Sequence, residues 1–427
     1  MTGDVRVVVT LAVFAAVLVA VIVRPRGWNE AWWTVLGATA MLGLGLVSPR
    51  EAIGAALAGK NALLFLLSLL LLSMLVGKSG FFEWAALRCA RFAKGDARVL
   101  YRNAFLLGAI ITAILSLDTT AVILTPVVLA LVRRLKVPAA PYVVLCAFVA
   151  NVGSLLLPVS NLTNILFADA FHVGFASFAG RMFVPQLVAL SVTYAVLRWH
   201  FRGDIPERFE LESLPSADSA VPDRRYFVFC VAVLVVVLVG YFLSPLVGVA
   251  PYVIAFAGSG ALAIAGAARG RVRIRAFAEL AWNVFPFVVG LFVVVRGLEN
   301  LGIVDRSAAW LARLTPGSPE SLLVVSGATA AASNAMNNLP AALLARSVLL
   351  RSHADVGTVL AGLVGAGVGP MITPFGSLAT MLVLALARRE GQEPRAGRLL
   401  ALGLWATPVI VLASTLALMV VVRFISR

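Results

Sequence analysis

The chain has 427 residues, of which 61% are hydrophobic, and its mean hydropathy is +0.98. That composition excludes an ordinary soluble domain, in which about half of the residues are apolar. The net charge of +15 would suggest nucleic-acid binding in a soluble protein, but here the Arg residues lie in short loops between apolar stretches of near-bilayer length. We therefore predict an all-α, multi-pass membrane protein with the lipid bilayer, and no nucleic acid, as its partner.

Cofactor and catalytic signatures are missing from the sequence. The three cysteines, Cys89, Cys146 and Cys230, are far apart, and they form no CxxC or Cys/His metal pattern. No Gly-rich GK[ST] loop is present, so ATP hydrolysis by that device is not expected. We therefore predict no catalytic residues, no metal and no cofactor. The first apolar stretch lacks a basic leader and a cleavage site, so it reads as a retained span and not a signal peptide.

The first half of the chain contains apolar stretches of several lengths, some of them interrupted by polar residues. From these we predict spans at 7–23, 31–47 and 62–77, an interfacial helix at 79–91, a re-entrant hairpin with arms 99–116 and 121–134, a broken span at 141–169, an interfacial stretch at 171–182 and a full span at 184–198.

A polar segment then separates this half from a second one with the same order of elements. We predict a first transmembrane repeat at 1–198, a cytoplasmic linker at 199–225 and a second repeat at 226–427. In the second repeat we predict spans at 226–243, 249–267 and 282–297, an interfacial stretch at 304–314, a hairpin at 321–350, a broken span at 356–388 and a last span at 399–422.

Polar residues interrupt the apolar segments at matching places in the two halves. Asp118 precedes Pro158 by 40 positions, and Asn334 precedes Pro374 by the same distance. Irregular backbone at membrane depth must line a cavity or be buried in protein, and paired interruptions are typical of a transporter's binding site. Chance in Gly- and Pro-rich apolar sequence is the alternative explanation.

The distribution of charge predicts how the halves are oriented. Each half has five crossings and a hairpin, and an odd number of crossings inverts the second half relative to the first. Of the 35 Lys and Arg residues, 24 fall in segments assigned to one side of the membrane. The positive-inside rule makes that side cytoplasmic, which puts both termini outside.

Asp118 is the only carboxylate in the hairpin-tip and helix-break motifs. It could take up and release a proton, because an ionisable residue at membrane depth is a functional candidate by default. It could also cap the second arm of its hairpin, and the two roles are compatible. Hydrogen-bonding groups for a small hydroxylated substrate come from Asn, Ser and Thr at both tips and both breaks, although capping of half-helices is an alternative role for them. The predicted substrate-binding residues are Thr119, Thr120, Ser160, Asn161, Asn164, Ser333, Asn334, Asn337, Asn338, Gly376, Ser377 and Thr380.

Several sequence blocks resemble the ArsB-type arsenite/antimonite efflux permeases of the ion transporter superfamily. The blocks are Ser79–Leu87, Asp118 with Ala121–Pro126, Val159–Leu162, Val295–Leu298, Met336–Asn338, and Gly369–Pro370 with Ile372–Thr380. The resemblance implies a transporter of the cytoplasmic (inner) membrane that exports arsenite or antimonite in exchange for protons. It also implies optional assembly with a separate soluble ArsA-type ATPase, and it leaves oligomerisation open.

The chain departs from this family's pattern where some members carry further charges. Those positions hold Val152, Val368 and Met371 here, so proton exchange would rely on fewer ionisable groups. Arsenous acid is neutral at pH 7 and presents three hydroxyls, so it needs no counter-ion. The alternatives are a sodium/proton antiporter or an anion/sodium carrier of the same superfamily and, from other classes, a channel or an intramembrane enzyme.

Overall fold

The structure, a computed structural model, describes residues 3–210 and 214–425. Within these ranges the chain is helical almost throughout, and the only β-type pairing is a bridge between Asp96 and Arg208. The all-α prediction is confirmed. The helices of the first half are α1 Gly3–Val23, α2 Glu30–Gly43, α3 Pro49–Ala58, α4 Lys60–Gly77, α5 Phe81–Phe92, α6 Ala97–Ile114, α7 Leu117–Thr119, α8 Thr125–Arg134, α9 Ala140–Val152, α10 Leu162–Ala170 and α11 Phe175–His200.

The second half has the same order of helices, except that α3 and α7 have no counterpart. Its helices are α12 Arg224–Val247, α13 Pro251–Ala268, α14 Val284–Glu299, α15 Ile303–Leu311, α16 Pro319–Met336, α17 Asn338–Arg351, α18 Val356–Val368, α19 Leu378–Arg389 and α20 Ala396–Ile425. Eight helical segments of the described residues are long and apolar enough to span a bilayer, and α9 and α18 are shorter apolar helices.

Two sequence predictions differ from the observed helices. The prediction of an interfacial stretch at 171–182 is wrong, because most of these residues belong to the continuous helix α11, which contains Pro185. Arg181 interrupts the apolar run there, but the helix continues through it. The short helix α3 was not predicted; Ser48 and Glu51 start it with a reciprocal capping box.

The interfacial helices α5 and α15 begin in the same way in the two halves. The glycine before each helix, Gly80 or Gly302, has a positive φ, at 82° and 73°. A left-handed backbone favours glycine, because other residues carry a Cβ atom that is strained there. The chain therefore turns sharply at the end of α4 and of α14 before each interfacial helix.

Ion pairs group the loops into two faces. Lys78 with Glu279 (2.7 Å), Arg133 with Glu390 (2.7 Å) and Arg98 with Glu207 (3.3 Å) join loops that the sequence assigned to the Arg-rich side. We call this side the basic face. On the other side, which we call the opposite face, Arg296 lies 3.4 Å from Glu51 and Arg351 lies 2.9 Å from Asp305.

The same contacts show that α4 and α14, which correspond in the two halves, run in opposite directions. Lys78 follows α4 and meets Glu279, which precedes α14, on the basic face. Arg296, near the end of α14, meets Glu51, which precedes α4, on the opposite face. These opposite directions agree with two halves of inverted orientation.

Each hairpin packs closely against the broken helix of its own half. A Cβ atom on Gly108 of α6 would lie 2.7 Å from Val149 of α9, and one on Gly365 of α18 would lie 2.3 Å from the Ser326 carbonyl of α16. These glycines bring the helix backbones into contact, so the hairpin tips reach the helix breaks.

Candidate functional site

The tip of the first hairpin is built from hydroxyl groups around Asp118. The Ser116 hydroxyl caps α7 by accepting a hydrogen bond from the Thr119 amide at 3.1 Å. Thr119 shares a hydrogen bond with Ser73 of α4 at 2.7 Å, and Thr120 shares one with Thr112 of α6 at 2.7 Å. Ser116 therefore performs the capping role that the sequence offered to Asp118.

Asp118 lies at the edge of a cavity of about 450 Å³ on the basic-face side of this tip, which we call the tip cavity. Its carboxylate has no hydrogen bond or ion pair with any described residue. Ser73, which also lines the cavity, precedes Lys78 by five residues, or ~7.5 Å of helix rise. The tip cavity therefore runs from the charged groups on the basic face inward to Asp118 and Thr119.

Besides Asp118, the tip cavity is lined by one ion pair and one unpaired carboxylate. Lys78 pairs with Glu279 at 2.7 Å. Glu83, on the first turn of α5, also lines the cavity, and it has no hydrogen bond or ion pair among the residues that the structure describes. Burial raises the pKa of Glu83 above its usual value. The remaining wall is mostly apolar.

The second hairpin tip is bonded to the break of its own half through asparagines. The Asn334 amide donates to the Gly369 carbonyl at 2.7 Å, and the Asn337 amide donates to the Phe375 carbonyl at 2.9 Å. The backbone N–H of Asn338 donates to the Gly376 carbonyl at 2.7 Å. These bonds satisfy the irregular backbone between α18 and α19, which has no helical partners of its own. Ser333, also predicted, is fully buried and donates to the Thr329 carbonyl of its own helix.

The break in the first half is satisfied by a different set of side chains. Asn161 caps α10 by accepting from the Thr163 amide at 3.1 Å, and the Asn164 amide donates to the carbonyls of Ser154 and Leu157. The Ser160 hydroxyl donates to the Ala113 carbonyl at the end of α6.

One polar contact joins the two halves at this level. The Asn151 amide of α9 donates to the Thr380 hydroxyl of α19 at 2.9 Å, and Thr380 also accepts a bond from Ser377, which caps α19. Leu378, the first residue of α19, lines the tip cavity. The half-helix α19 therefore begins beside α9 and at the wall of the cavity.

Of the predicted residues, the structure brings Asp118 and Thr119 to the tip cavity. The others lie in the surrounding layer of tips and breaks, nearly all of them fully buried. Sequence reasoning missed Ser73, Asn151 and Gln186. Gln186 accepts from the Leu155 amide and donates to the Val152 carbonyl, both at 2.9 Å. The available signal was a polar residue inside an apolar run, directly after Pro185.

Comparison with known proteins identifies the family. The sequence profile described as the arsenical pump membrane protein, ArsB, matches residues 9–425. The chain belongs to the ArsB family. It is 34% identical to an arsenical pump membrane protein of Escherichia coli over 87% of this chain and 89% of that one, and 32% identical to one from Yersinia enterocolitica with the same coverage. The family resemblance of the sequence blocks is thus confirmed, and the chain is a multi-pass protein of the bacterial inner membrane.

A solved structure shares the fold. The crystal structure of the Alcanivorax borkumensis YdaH transporter matches with a TM-score of 0.56 over 89% of this chain and 87% of that one, at 17% identity. At that identity the likeness concerns the fold alone. The two chains therefore share a helical architecture.

Proposed function

We propose that this chain exports trivalent arsenic and antimony, as the neutral trihydroxides As(OH)₃ and Sb(OH)₃, in exchange for protons. One observation carries the proposal: the unpaired Asp118 carboxylate sits at a hairpin tip where the tip cavity ends. Membership of the arsenical pump family supplies the substrate class.

The groups around Asp118 suit a small neutral polyol. Ser73 and Thr119 supply hydroxyls at the cavity wall, and no cationic residue lies unpaired there to attract an anion. We propose that Asp118 and Thr119 contact the substrate first. The other predicted Asn, Ser and Thr residues then hold the tips and breaks that close around it.

Orientation follows from charge. With the basic face in the cytoplasm, the tip cavity is the cytoplasmic entry, and the linker 199–225 lies on the cytoplasmic side. An ionised carboxylate at membrane depth costs several kcal/mol. The transporter would therefore not switch its open side while Asp118 is ionised and the substrate site is empty. Substrate leaves with the ionised form, and a proton occupies Asp118 on the return step, which makes the exchange obligatory.

The Asp118→Asn variant tests this coupling. It keeps the shape of the side chain and removes its titration, so downhill arsenite exchange should persist in part while uphill, pH-driven uptake into everted vesicles is abolished. Asp218→Asn is the matched control, because Asp218 lies on the same face, outside the tip cavity, and pairs with Arg88 at 3.4 Å. Uphill transport by Asp118→Asn at the normal rate and pH dependence would show that the proton is carried elsewhere.

The same vesicles distinguish the remaining alternatives. Arsenite uptake that follows a proton gradient, without Na⁺ and without competition by citrate, supports the proposal over a sodium-coupled carrier of the same superfamily. Uptake without ATP shows that this chain works alone, and stimulation by added ArsA-type ATPase would reveal that partner.

A further inference from the structure

Glu83 is the second unpaired carboxylate of the tip cavity. It lies on the first turn of α5 and is exposed to the cavity, and no described residue bonds or pairs with its side chain. The start of α5 is packed tightly, because Phe82 is buried at 1% exposure and a Cβ atom on Gly80 would lie 1.9 Å from the Ala220 carbonyl of the linker. Glu83 is therefore held at the mouth of the cavity.

The charge of the cavity is negative on balance. One cation, Lys78, faces three carboxylates, and Glu279 already neutralises it. Glu83 and Asp118 remain uncompensated. Charges act more strongly between apolar walls than in open water, because the effective dielectric constant there is lower. Most of the lining residues are apolar, among them Leu66, Met74, Phe82, Val127 and Leu382.

Other features of this region would attract anions. The N-terminus of α19 begins at the cavity wall, and helix N-termini favour negative charge. The surrounding basic face is rich in arginine. Phosphate and other oxyanions, which are abundant in the cytoplasm, would therefore collect at this entrance if nothing opposed them.

We propose that Glu83 makes the tip cavity selective against oxyanions, so that neutral trihydroxides and cations enter while phosphate and arsenate stay out. The role in selectivity rests on the proposed function, whereas the negative potential does not. Glu83 acts through charge at the mouth and is a specificity-determining residue that needs no contact with the bound substrate.

The potential can be measured without transport. In a variant with all three native cysteines replaced by serine, Val127→Cys places a single thiol in the cavity wall, with Leu382→Cys as a second reporter. The measurement is the ratio of thiol reaction rates with a cationic and an anionic methanethiosulfonate reagent, at low ionic strength because salt screens the effect. A unit charge about 10 Å away should change this ratio by roughly tenfold, since the two reagents respond in opposite directions.

The signs of the changes identify the residues. Glu83→Gln and Glu279→Gln should each lower the cation-to-anion ratio, the second because it frees Lys78, and Lys78→Gln should raise it. The double variant Lys78→Gln with Glu83→Gln should return the ratio to its starting value. A Leu343→Cys reporter in a separate cavity on the opposite face should not respond to any of them. Misfolding cannot produce changes of opposite sign, so an unchanged ratio in Glu83→Gln overturns the proposal.

Transport supplies the functional half of the test. Arsenite uptake into everted vesicles should resist 10 mM-scale phosphate and arsenate in the wild type and become sensitive in Glu83→Gln, with the apparent inhibition constant falling on the order of fivefold. Glu207→Gln, on the same face and paired with Arg98, is the control that should stay resistant. If the thiol reaction rates change as expected but the protein transports no arsenite, only the proposed function is contradicted. Persistent resistance in Glu83→Gln, with arsenite uptake intact, would contradict the selectivity proposal alone.

Discussion

Asn334 uses all of its hydrogen-bonding capacity in holding the second helix break. Its amide donates to the carbonyls of Ala330 (2.9 Å) and Gly369 (2.7 Å), and its oxygen accepts from the amides of Ile372 and Thr373, both at 3.1 Å. No water in the hydrocarbon region can replace these partners. One side chain thus forms hydrogen bonds with four backbone groups around the helix break.

We expect Asn334→Asp to destabilise the protein strongly. The carboxylate keeps the two accepted bonds, but it can no longer donate and faces the Gly369 carbonyl instead. Loss of two buried donors should cost ~2 kcal/mol or more, measured as a lower thermal midpoint of the purified protein in detergent. Asn103→Asp is the control, because the Asn103 amide donates only one bond, to the Cys89 carbonyl at 3.0 Å, and its oxygen accepts from Arg102 at 3.5 Å. Equal stability of Asn334→Asp and the wild type would contradict this role.

The cysteines lie away from the tip cavity. Cys146 and Cys230 are fully buried, and burial raises the pKa of the Cys89 thiol, on the interfacial helix α5, to about 11. A thiol whose pKa is raised stays protonated until the pH approaches that value, so Cys89 is a poor ligand for As(III) at neutral pH.

We therefore expect a variant with Cys89, Cys146 and Cys230 all replaced by serine to confer normal arsenite resistance on a sensitive host. Membrane expression, measured by immunoblot, is the control. Loss of resistance at normal expression would show that a thiol takes part in transport.

At the scale of elements, Gly80 and Gly302 offer a natural comparison. Both have positive φ, but a Cβ atom on Gly302 meets nothing within 4 Å, whereas one on Gly80 collides with the linker at Ala220. Gly302→Ala should therefore cost only the backbone strain of ~1 kcal/mol, and Gly80→Ala should cost more. Thermal unfolding of the two purified variants measures the difference. Equal midpoints would show that the linker does not press on this turn.

Much of the element order could be predicted from the sequence, because apolar length and interrupting polar residues mark spans and breaks directly. The π-helical turn Thr120–Leu124 after the first tip could not, since nothing local distinguishes it from an α-helical turn. The site was predictable in part: the motif Asn, Ser and Thr residues do lie at the tips and breaks. Asn151 and Gln186 were missed because their partners, Thr380 and the α9 break, are distant in sequence, and pairing across a fold is set by packing.

At the scale of the whole molecule, a polar network on the opposite face joins α14 to α17 and to the segment before α4. Glu299 of α14 accepts from Arg296 at 2.9 Å and from the Ser347 hydroxyl of hairpin helix α17, and Arg296 reaches Glu51 before α4. These groups line the cavity of about 340 Å³ that contains Leu343. Under the proposed function, substrate that enters from the basic face would leave past this network, and the bond from Ser347 to Glu299 would then break in each transport cycle.

We expect Ser347→Ala to favour the state that is open on the opposite face. Losing a hydrogen bond worth about 1 kcal/mol should raise the population of that state by roughly fivefold where it is minor. The measurement is the labelling rate of a Leu343→Cys reporter by a membrane-impermeant maleimide in intact spheroplasts. Ser352→Ala is the control, because the Ser352 hydroxyl bonds only within its own helix end. Slower labelling of the Ser347 variant would contradict this assignment.

The shortness of α2 affects the surrounding lipid. Its 14 residues rise by ~21 Å, whereas the hydrocarbon core of a typical bilayer is ~30 Å thick. Trp32 and Leu36 of this helix are exposed on its outer side, and the rings of Trp28 and Trp33 stack at its start, where aromatic anchors sit at the level of the lipid headgroups. The bilayer beside α2 must therefore become locally thinner to match the length of this helix. We expect the protein to work best in short-chain lipids and to lose activity as the bilayer thickens.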